Sequence, residues 1–264
     1  MTDNLQFPRT VSKDKDFREL LQGLAHTRGS IVAVFADFCR TSACALAVGG
    51  REPEYMEAIK PYSRDDLQVF ARALSYLIME MEAAPFVDVL GPYYTEISSA
   101  HTRDTRGEFF TPPPIADLLA QLSFDAETVR EIGRPVTVCD PAGGSGGLIL
   151  ACARALKPDV DLMRATLQDI NPTACNMAYI NTTLWGIPAE ILLGNTLKGE
   201  VVHRWTNIHW HRVGEDLRRA FAQLAAVPPG DRSAAKPPAR PPSSPEETDC
   251  DHEPPAQPEF DWNL

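Results

Sequence analysis

Apolar residues recur at three- and four-residue steps through FRELLQGLA, IVAVFADFCRTSACALAV and SRDDLQVFARALSYLIMEMEAA. That spacing predicts helices over most of the stretch from Lys13 to Ser99. Ser63, three residues before Asp66, predicts a helix-start box with Asp in place of the usual Glu or Gln. Gly29, Gly49-Gly50 and Gly91-Pro92 are expected to punctuate the helices. Met79 and Met81 read as core packing.

From Pro112 to Asn195 the pattern alternates. A helix is expected from the proline run Pro112–Pro114 through IADLLAQLSF. Strand VTVCD, helix GGLILACARAL, strand ATLQDI, helix PTACNMAYINTTLW and strand AEILLGN then follow. Strands alternating with helices predict parallel crossovers and an α/β, doubly wound, Rossmann-like sheet. Between Asn195 and residue 227 the pattern leaves room for one short strand and one amphipathic helix, EDLRRAFAQLAA, so the sheet is expected to be incomplete. Beyond Pro228 the chain is rich in Pro, Ser, Ala and acid and is expected to be disordered. The resulting division is a helical region over 1–100, an α/β domain over 101–227 and an acidic Pro-rich tail over 228–264.

A chain of 264 residues that is 44% hydrophobic can bury a sizeable core. No apolar run approaches the roughly 20 residues needed to cross a bilayer, and the first residues lack the apolar core of a signal peptide. Six cysteines make no CxxC pair and mostly lie in apolar segments, which suits a reducing cytoplasm and argues against a disulfide framework. The net charge is −11. From Pro228 onward eight acidic residues face three basic ones, so the tail carries about −5 and the body about −6. That is not the basic footprint of an autonomous nucleic-acid binder.

The chemistry concentrates in VTVCDPAGGSGGLILACARAL. In open α/β sheets ligands bind beyond the carboxyl ends of the strands. Glycines after the first strand let backbone approach a ligand, and the next helix offers free N–H groups. The dinucleotide fingerprint fails here because Ile149 stands where its third glycine belongs, and no Gly-Lys-Ser/Thr follows for a phosphate loop. A tight turn alone would also use these glycines. Asp169 at the end of the second strand can accept both hydroxyls of a ribose. Asn195, after the third, can accept an adenine amino proton. RGEFFTPPP supplies an aromatic and a hydroxyl before a helix. Together these describe a nucleoside pocket without a pyrophosphate clamp, and S-adenosylmethionine is such a ligand. HRWTNIHWHR holds His203, His209 and His211, but no third ligand type stands at metal-site spacing. Its aromatics read as cover for a sheet edge.

GEFFTP, DPAGGSGG, QDINP and GNTL resemble the adenine-specific N-6 DNA methyltransferases, in particular modification subunits of type I restriction systems. The resemblance covers about Asp88 to Leu197, and VDVLGPYYTEI resembles the end of the helical part that precedes the methyltransferase domain in that family. It implies S-adenosyl-L-methionine as cofactor, held by Glu108, Phe110, Thr111, Pro112, Asp140, Gly143, Gly144, Ser145, Gly146, Asp169, Ile170 and Asn195. Phe110 and Thr111 would border the methionine end, the stretch from Asp140 to Gly147 would cradle it, and Asp169 would bind ribose. DNA and a second protein subunit are the partners it implies. Gly143 stands where the family usually has Cys, and Asn195 replaces an acidic residue, removing charge assistance at the adenine end.

The family's Asn/Asp-Pro-Pro-aromatic motif holds the target amino group and stacks on the flipped base. Every Pro-Pro pair in this chain lacks the polar residue before it and the aromatic after it. The resemblance therefore follows the family's sheet only to its third or fourth strand and assigns no catalytic residue. Two classes stay open: a DNA adenine methyltransferase completed by a second polypeptide, and a catalytically inactive cofactor-binding regulatory or accessory subunit.

Overall fold

The computed structural model describes residues 16–101 and 110–210. Five helices open the chain: α1 (Phe17–Arg28), α2 (Ile31–Leu46), α3 (Glu52–Ile59), α4 (Arg64–Ala83) and α5 (Leu90–His101). The box expected at α4 is present. The Ser63 hydroxyl accepts from the Asp66 amide at 3.3 Å, and the Asp66 carboxylate accepts from the Ser63 amide at 2.8 Å. Met81 is buried as expected, whereas Met79 is 47% exposed. Gly29 closes α1 at φ 110, but Gly91-Pro92 does not break a helix. It forms the first turn of α5, where Pro costs no internal hydrogen bond.

The second half carries α6 (Pro113–Ser123), α7 (Ala126–Ile132), β1 (Val136–Asp140), α8 (Gly147–Leu156), β2 (Met163–Asp169), α9 (Pro172–Leu184), β3 (Ala189–Leu193) and β4 (His203–Thr206). Helix α7 is an addition to the expected elements; Asp125 caps it by accepting from the Glu127 and Thr128 amides. β1, β2 and β3 are parallel in that order, with Val138 opposite Ala165 and Ala165 opposite Ala189. β4 pairs antiparallel to β3. This is the expected α/β class, with four strands in the sheet among the described residues.

Alternation along the strands buries Met163, Ala165, Leu167 and Ile191 on one face, against α8 and α9. Thr137, Cys139, Thr166 and Gln168 point the other way. Strand order runs one way, so the switch in order that a doubly wound sheet contains does not fall among the described residues. Small residues let α6 approach α8: Ala116 and Ala120 are buried in that contact, which the Asp117–Arg154 ion pair flanks.

Helical region and sheet share one core. α9 packs along α2 on one side and on β2 and β3 on the other, and is buried from Ala174 to Thr183. Arg51, whose side chain is only 4% exposed, ties the layers together. Its guanidinium donates to Glu54 at 2.6 and 2.9 Å and to the Asn176 amide oxygen at 3.0 Å. It also lies 4.4 Å from the Trp205 ring and 5.3 Å from that of Tyr179. No single helix among the described residues is long and apolar enough to cross a membrane. The expected helix EDLRRAFAQLAA, His211 and the acidic tail lie outside the described residues.

Removing a buried charged group leaves its partners unpaired, so Arg51→Ala should cost about 3 kcal/mol. Urea denaturation followed by tryptophan fluorescence measures this, and an unchanged midpoint would show that Arg51 does not join the layers.

Candidate functional site

The loop after β1 turns back across the carboxyl end of β2. The Gly143 amide donates to the Gln168 carbonyl at 2.9 Å, and the Gly144 amide donates to Asp169 Oδ2 at 2.9 Å. Asp169 Oδ1 accepts from the Asn171 amide at 2.8 Å. The Gly194 amide donates to the Asp169 carbonyl at 2.9 Å, so the residues after β3 join the same edge. The Thr196 hydroxyl closes the arrangement with a 2.6 Å bond to the Pro141 carbonyl.

Phe110, Thr111, Asp140, Gly143, Gly144 and Ser145 line one cleft of about 100 Å³, together with Ala142, Gly147 and Leu148. Pro112 caps α6 beside it. Asp169, Ile170 and Asn195 lie outside this lining, along the adjoining ends of β2 and β3. Ile170 is 66% exposed there. The Asn195 side-chain oxygen accepts from the Lys198 amide at 3.2 Å. Glu108 lies outside the described residues.

The glycines serve different ends. Gly144 has φ 53, and a Cβ there would stand 3.1 Å from the Phe110 ring. Gly146 has φ 90, and its Cβ would point at Leu167 and Ala178 in the core. A side chain at Gly146 would therefore face the core and not the cleft, and would strain the backbone. Ser145 turns its hydroxyl away from the cleft to Asp88 and leaves its backbone at the lining.

Burial raises the Asp140 carboxyl above the ordinary range. The Ala142 amide pulls it back, and the nearby Asp169 charge pushes it further up. This folded-state value above the unfolded one means that the group contributes stability at low pH, which is lost as pH rises through its titration. At neutral pH two carboxylates therefore face the loop at some cost, an arrangement that favours a cationic or hydroxyl-rich ligand.

Several contributors were not foreseen. Tyr94 on α5 meets Phe110 edge-on at 5.6 Å and accepts from Asn171 Nδ2 at 3.3 Å, extending the aromatic wall. Asn171 caps α9 through the Thr173 amide, as an Asn just before a helix-starting Pro can signal. Asn207 is 0% exposed, accepting from the Ala189, His209 and Trp210 amides and donating to the Ile187 carbonyl and Thr182. His209 Nε2 lies 2.9 Å from the Thr183 carbonyl. Among the described residues no three His, Cys, Asp or Glu side chains form a metal-sized cluster.

The glycine loop is thus joined to a carboxylate at the end of the neighbouring parallel strand, on the carboxyl edge of the α/β sheet. Residues 87–213 match the family model described as N-6 DNA Methylase. It is 33% identical over 106 residues to the type I restriction enzyme MpnII methylase subunit of Mycoplasma pneumoniae; the match takes in 38% of this chain and 18% of that protein. The chain thus spans less than a fifth of that relative. Two solved structures are also similar. One, from Listeria monocytogenes, is named as a class I S-adenosylmethionine-dependent methyltransferase (18% identity, 71% of this chain, 54% of that chain, TM-score 0.42). The other is the type I restriction-modification system methyltransferase subunit of Streptococcus thermophilus (23% identity, 70% of this chain, 40% of that chain, TM-score 0.39).

Placing an L side chain at a left-handed position costs about 1–2 kcal/mol. Gly144→Ala should lose that much stability, and Gly146→Val more, because Leu167 must also move. Chemical denaturation of the two variants checks the order.

Proposed function

We propose that this chain binds S-adenosylmethionine across the carboxyl ends of β1, β2 and β3 and serves N-6 methylation of adenine in DNA as a cofactor-binding component. The observation that carries this reading is the bond from the Gly144 amide to Asp169, which draws loop and carboxylate to one edge with Asn195. The groups present suit the ligand. Asp140, Asp169 and Asn195 offer acceptors for its ammonium, ribose hydroxyls and adenine amino group, while Phe110, Leu148 and Ile170 offer apolar surface. Glu108, Thr111, Pro112, Gly143, Ser145 and Gly146 complete the proposed set through the segments they shape. When bound, the cofactor supplies the transferable methyl group.

A second reading, an accessory or regulatory binder without catalysis of its own, is favoured by one specific observation. Methyl transfer needs the adenine amino nitrogen aimed at the sulfonium by a polar side chain and the base held by an aromatic face. Asn207 is buried with its donors and acceptors in use, and the remaining lone pair of the Asn195 oxygen is the one assigned to the cofactor's own adenine. The net charge of −11 adds little attraction to phosphate. DNA and a second protein subunit that supplies the base-holding groups are the partners of the first reading. The second reading needs only the cofactor.

Calorimetric titration of the purified 264-residue chain with S-adenosylmethionine tests the pocket; absence of binding at millimolar cofactor would refute it. Asp169→Ala should weaken binding by about 1.5–3 kcal/mol, the range for hydrogen bonds to a charged group. Affinity should also fall as pH drops from about 7 towards 4, because protonating Asp140 removes an anionic acceptor. Radiolabelled methyl incorporation into genomic DNA should stay at background for the chain alone. Robust incorporation that vanishes in both Asp140→Ala and Asp169→Ala would overturn the inactivity of the isolated chain.

A further inference from the structure

We infer that Asp88, a residue of the helical region, is a positioning residue for the loop after β1, acting through Ser145; the inference rests on the proposed cofactor site for its functional meaning. Asp88 stands just before α5, and its Oδ1 accepts from the Leu90 and Gly91 amides at 3.1 Å each. A carboxylate there is favoured by the helix N-terminus. Its Oδ2 accepts the Ser145 hydroxyl. Asn181 of α9 completes the set, with Nδ2 donating to Asp88 Oδ1 at 3.1 Å and to the Ser145 carbonyl at 2.9 Å. The amide orientation is fixed, because the reverse would point its oxygen at two acceptors. Ser145 is thus held by its hydroxyl and by its backbone, from two separate elements.

The approach is close enough to exclude any side chain at Gly91. A Cβ there would stand 2.3 Å from Asp88 Oδ2 and 2.5 Å from Ser145 Oγ. The turn that delivers Asp88 runs through Phe86 at φ 59, a left-handed conformation that residues with side chains rarely adopt. The Phe86 ring is held there by stacking on Trp185 at 4.6 Å. Burial raises the Asp88 carboxyl above the ordinary range, against the pull of its donors. A strained turn, a side-chain-free helix start and a carboxylate with no exposed role converge on one loop residue. The bonds that hold the loop from the sheet side come from Gln168, Asp169 and Thr196. Asp88, with Asn181, supplies the hold from the opposite side, so the shape of the loop is tied to the docking of the helical region.

Ser145→Ala removes the loop bond and leaves both α5 amides on Asp88, so it separates positioning from helix capping. Asp88→Asn keeps the shape and one acceptor oxygen for the α5 amides and can donate from its amide nitrogen to the Ser145 hydroxyl oxygen, so it should behave like wild type, whereas Asp88→Ala should behave like Ser145→Ala or fail to fold. Hydrogen exchange of the unliganded protein should speed up across residues 142–147 in Ser145→Ala while β2 and β3 stay protected. Calorimetry should show S-adenosylhomocysteine binding weakened about tenfold or more. Adenosine, which would reach Asp169 and Asn195 but not the methionine end, should bind within twofold of wild type. Unchanged loop exchange in Ser145→Ala, or equal losses for both ligands, would overturn the inference. If wild-type protein binds neither ligand, the cofactor reading fails, and the exchange measurement still decides whether Asp88 positions the loop.

Discussion

Helix α9 is buried from Ala174 to Thr183 yet carries polar side chains, and three of these find partners in other parts of the protein. Asn176 accepts from Arg51 of the helical region. Asn181 donates to Ser145 of the loop and to Asp88 before α5. Thr182 accepts from Asn207 beyond β4 at 3.4 Å. Three side chains along one helix thus specify three neighbours. An apolar helix of the same volume would bury as well without fixing which parts meet, whereas an unpaired amide in this position costs about 1–3 kcal/mol. The helical region, the loop and the β4 turn are located relative to one another by that requirement.

The site inherits this arrangement. β1, β2 and β3 place their carboxyl ends together, but a parallel sheet alone does not determine how a glycine-rich loop folds over them. The Gly144 amide on Asp169 ties the loop to β2, and the Gly194 amide on the Asp169 carbonyl brings in the end of β3. Under the proposed reading Asp169 has two duties, as acceptor for the loop and as the carboxylate offered to the ligand. A carboxylate has about four lone-pair sites, enough for both. The aromatic wall depends on the helical region too, since Phe110 leans on Tyr94, which stacks on Phe35 of α2 at 5.9 Å.

What the sequence made legible follows from how local each cause is. The helices of the first half, the strands β1 to β3 and the Ser63–Asp66 box depend on periodicity or on contacts three residues apart, and these are visible in a linear string. Asp169 and the glycine loop could be read because their types and their positions at strand ends carry the meaning. Asp88, Tyr94 and Asn181 could not, because each acts across a long sequence separation: Asp88 meets Ser145 and Asn181 only after α5 docks on α9. The purpose of Gly146 was equally hidden. Only the folded chain shows that it is required by a left-handed backbone facing Leu167 and Ala178 and not by an approach to a ligand.

The same geometry separates holding a cofactor from using it. Among the described residues the groups that face the cleft or its adjoining edge come from the loop after β1, the start of α8, the ends of β2 and β3, and the segment before α6. These are the acceptors and apolar walls suited to a nucleoside and an amino acid. Presenting an adenine amino group demands a further acceptor pair and an aromatic face directed at the methyl group from the opposite side. β4, the nearest later element, runs antiparallel to β3, so its chain direction leads away from that carboxyl edge. The turn that follows spends Asn207 on Ala189, Thr182 and its own backbone. Trp205 is committed to Arg51 and His203. Asn207 and Trp205 are therefore consumed in closing the fold, which is why cofactor binding and methyl transfer are separable under the proposed reading.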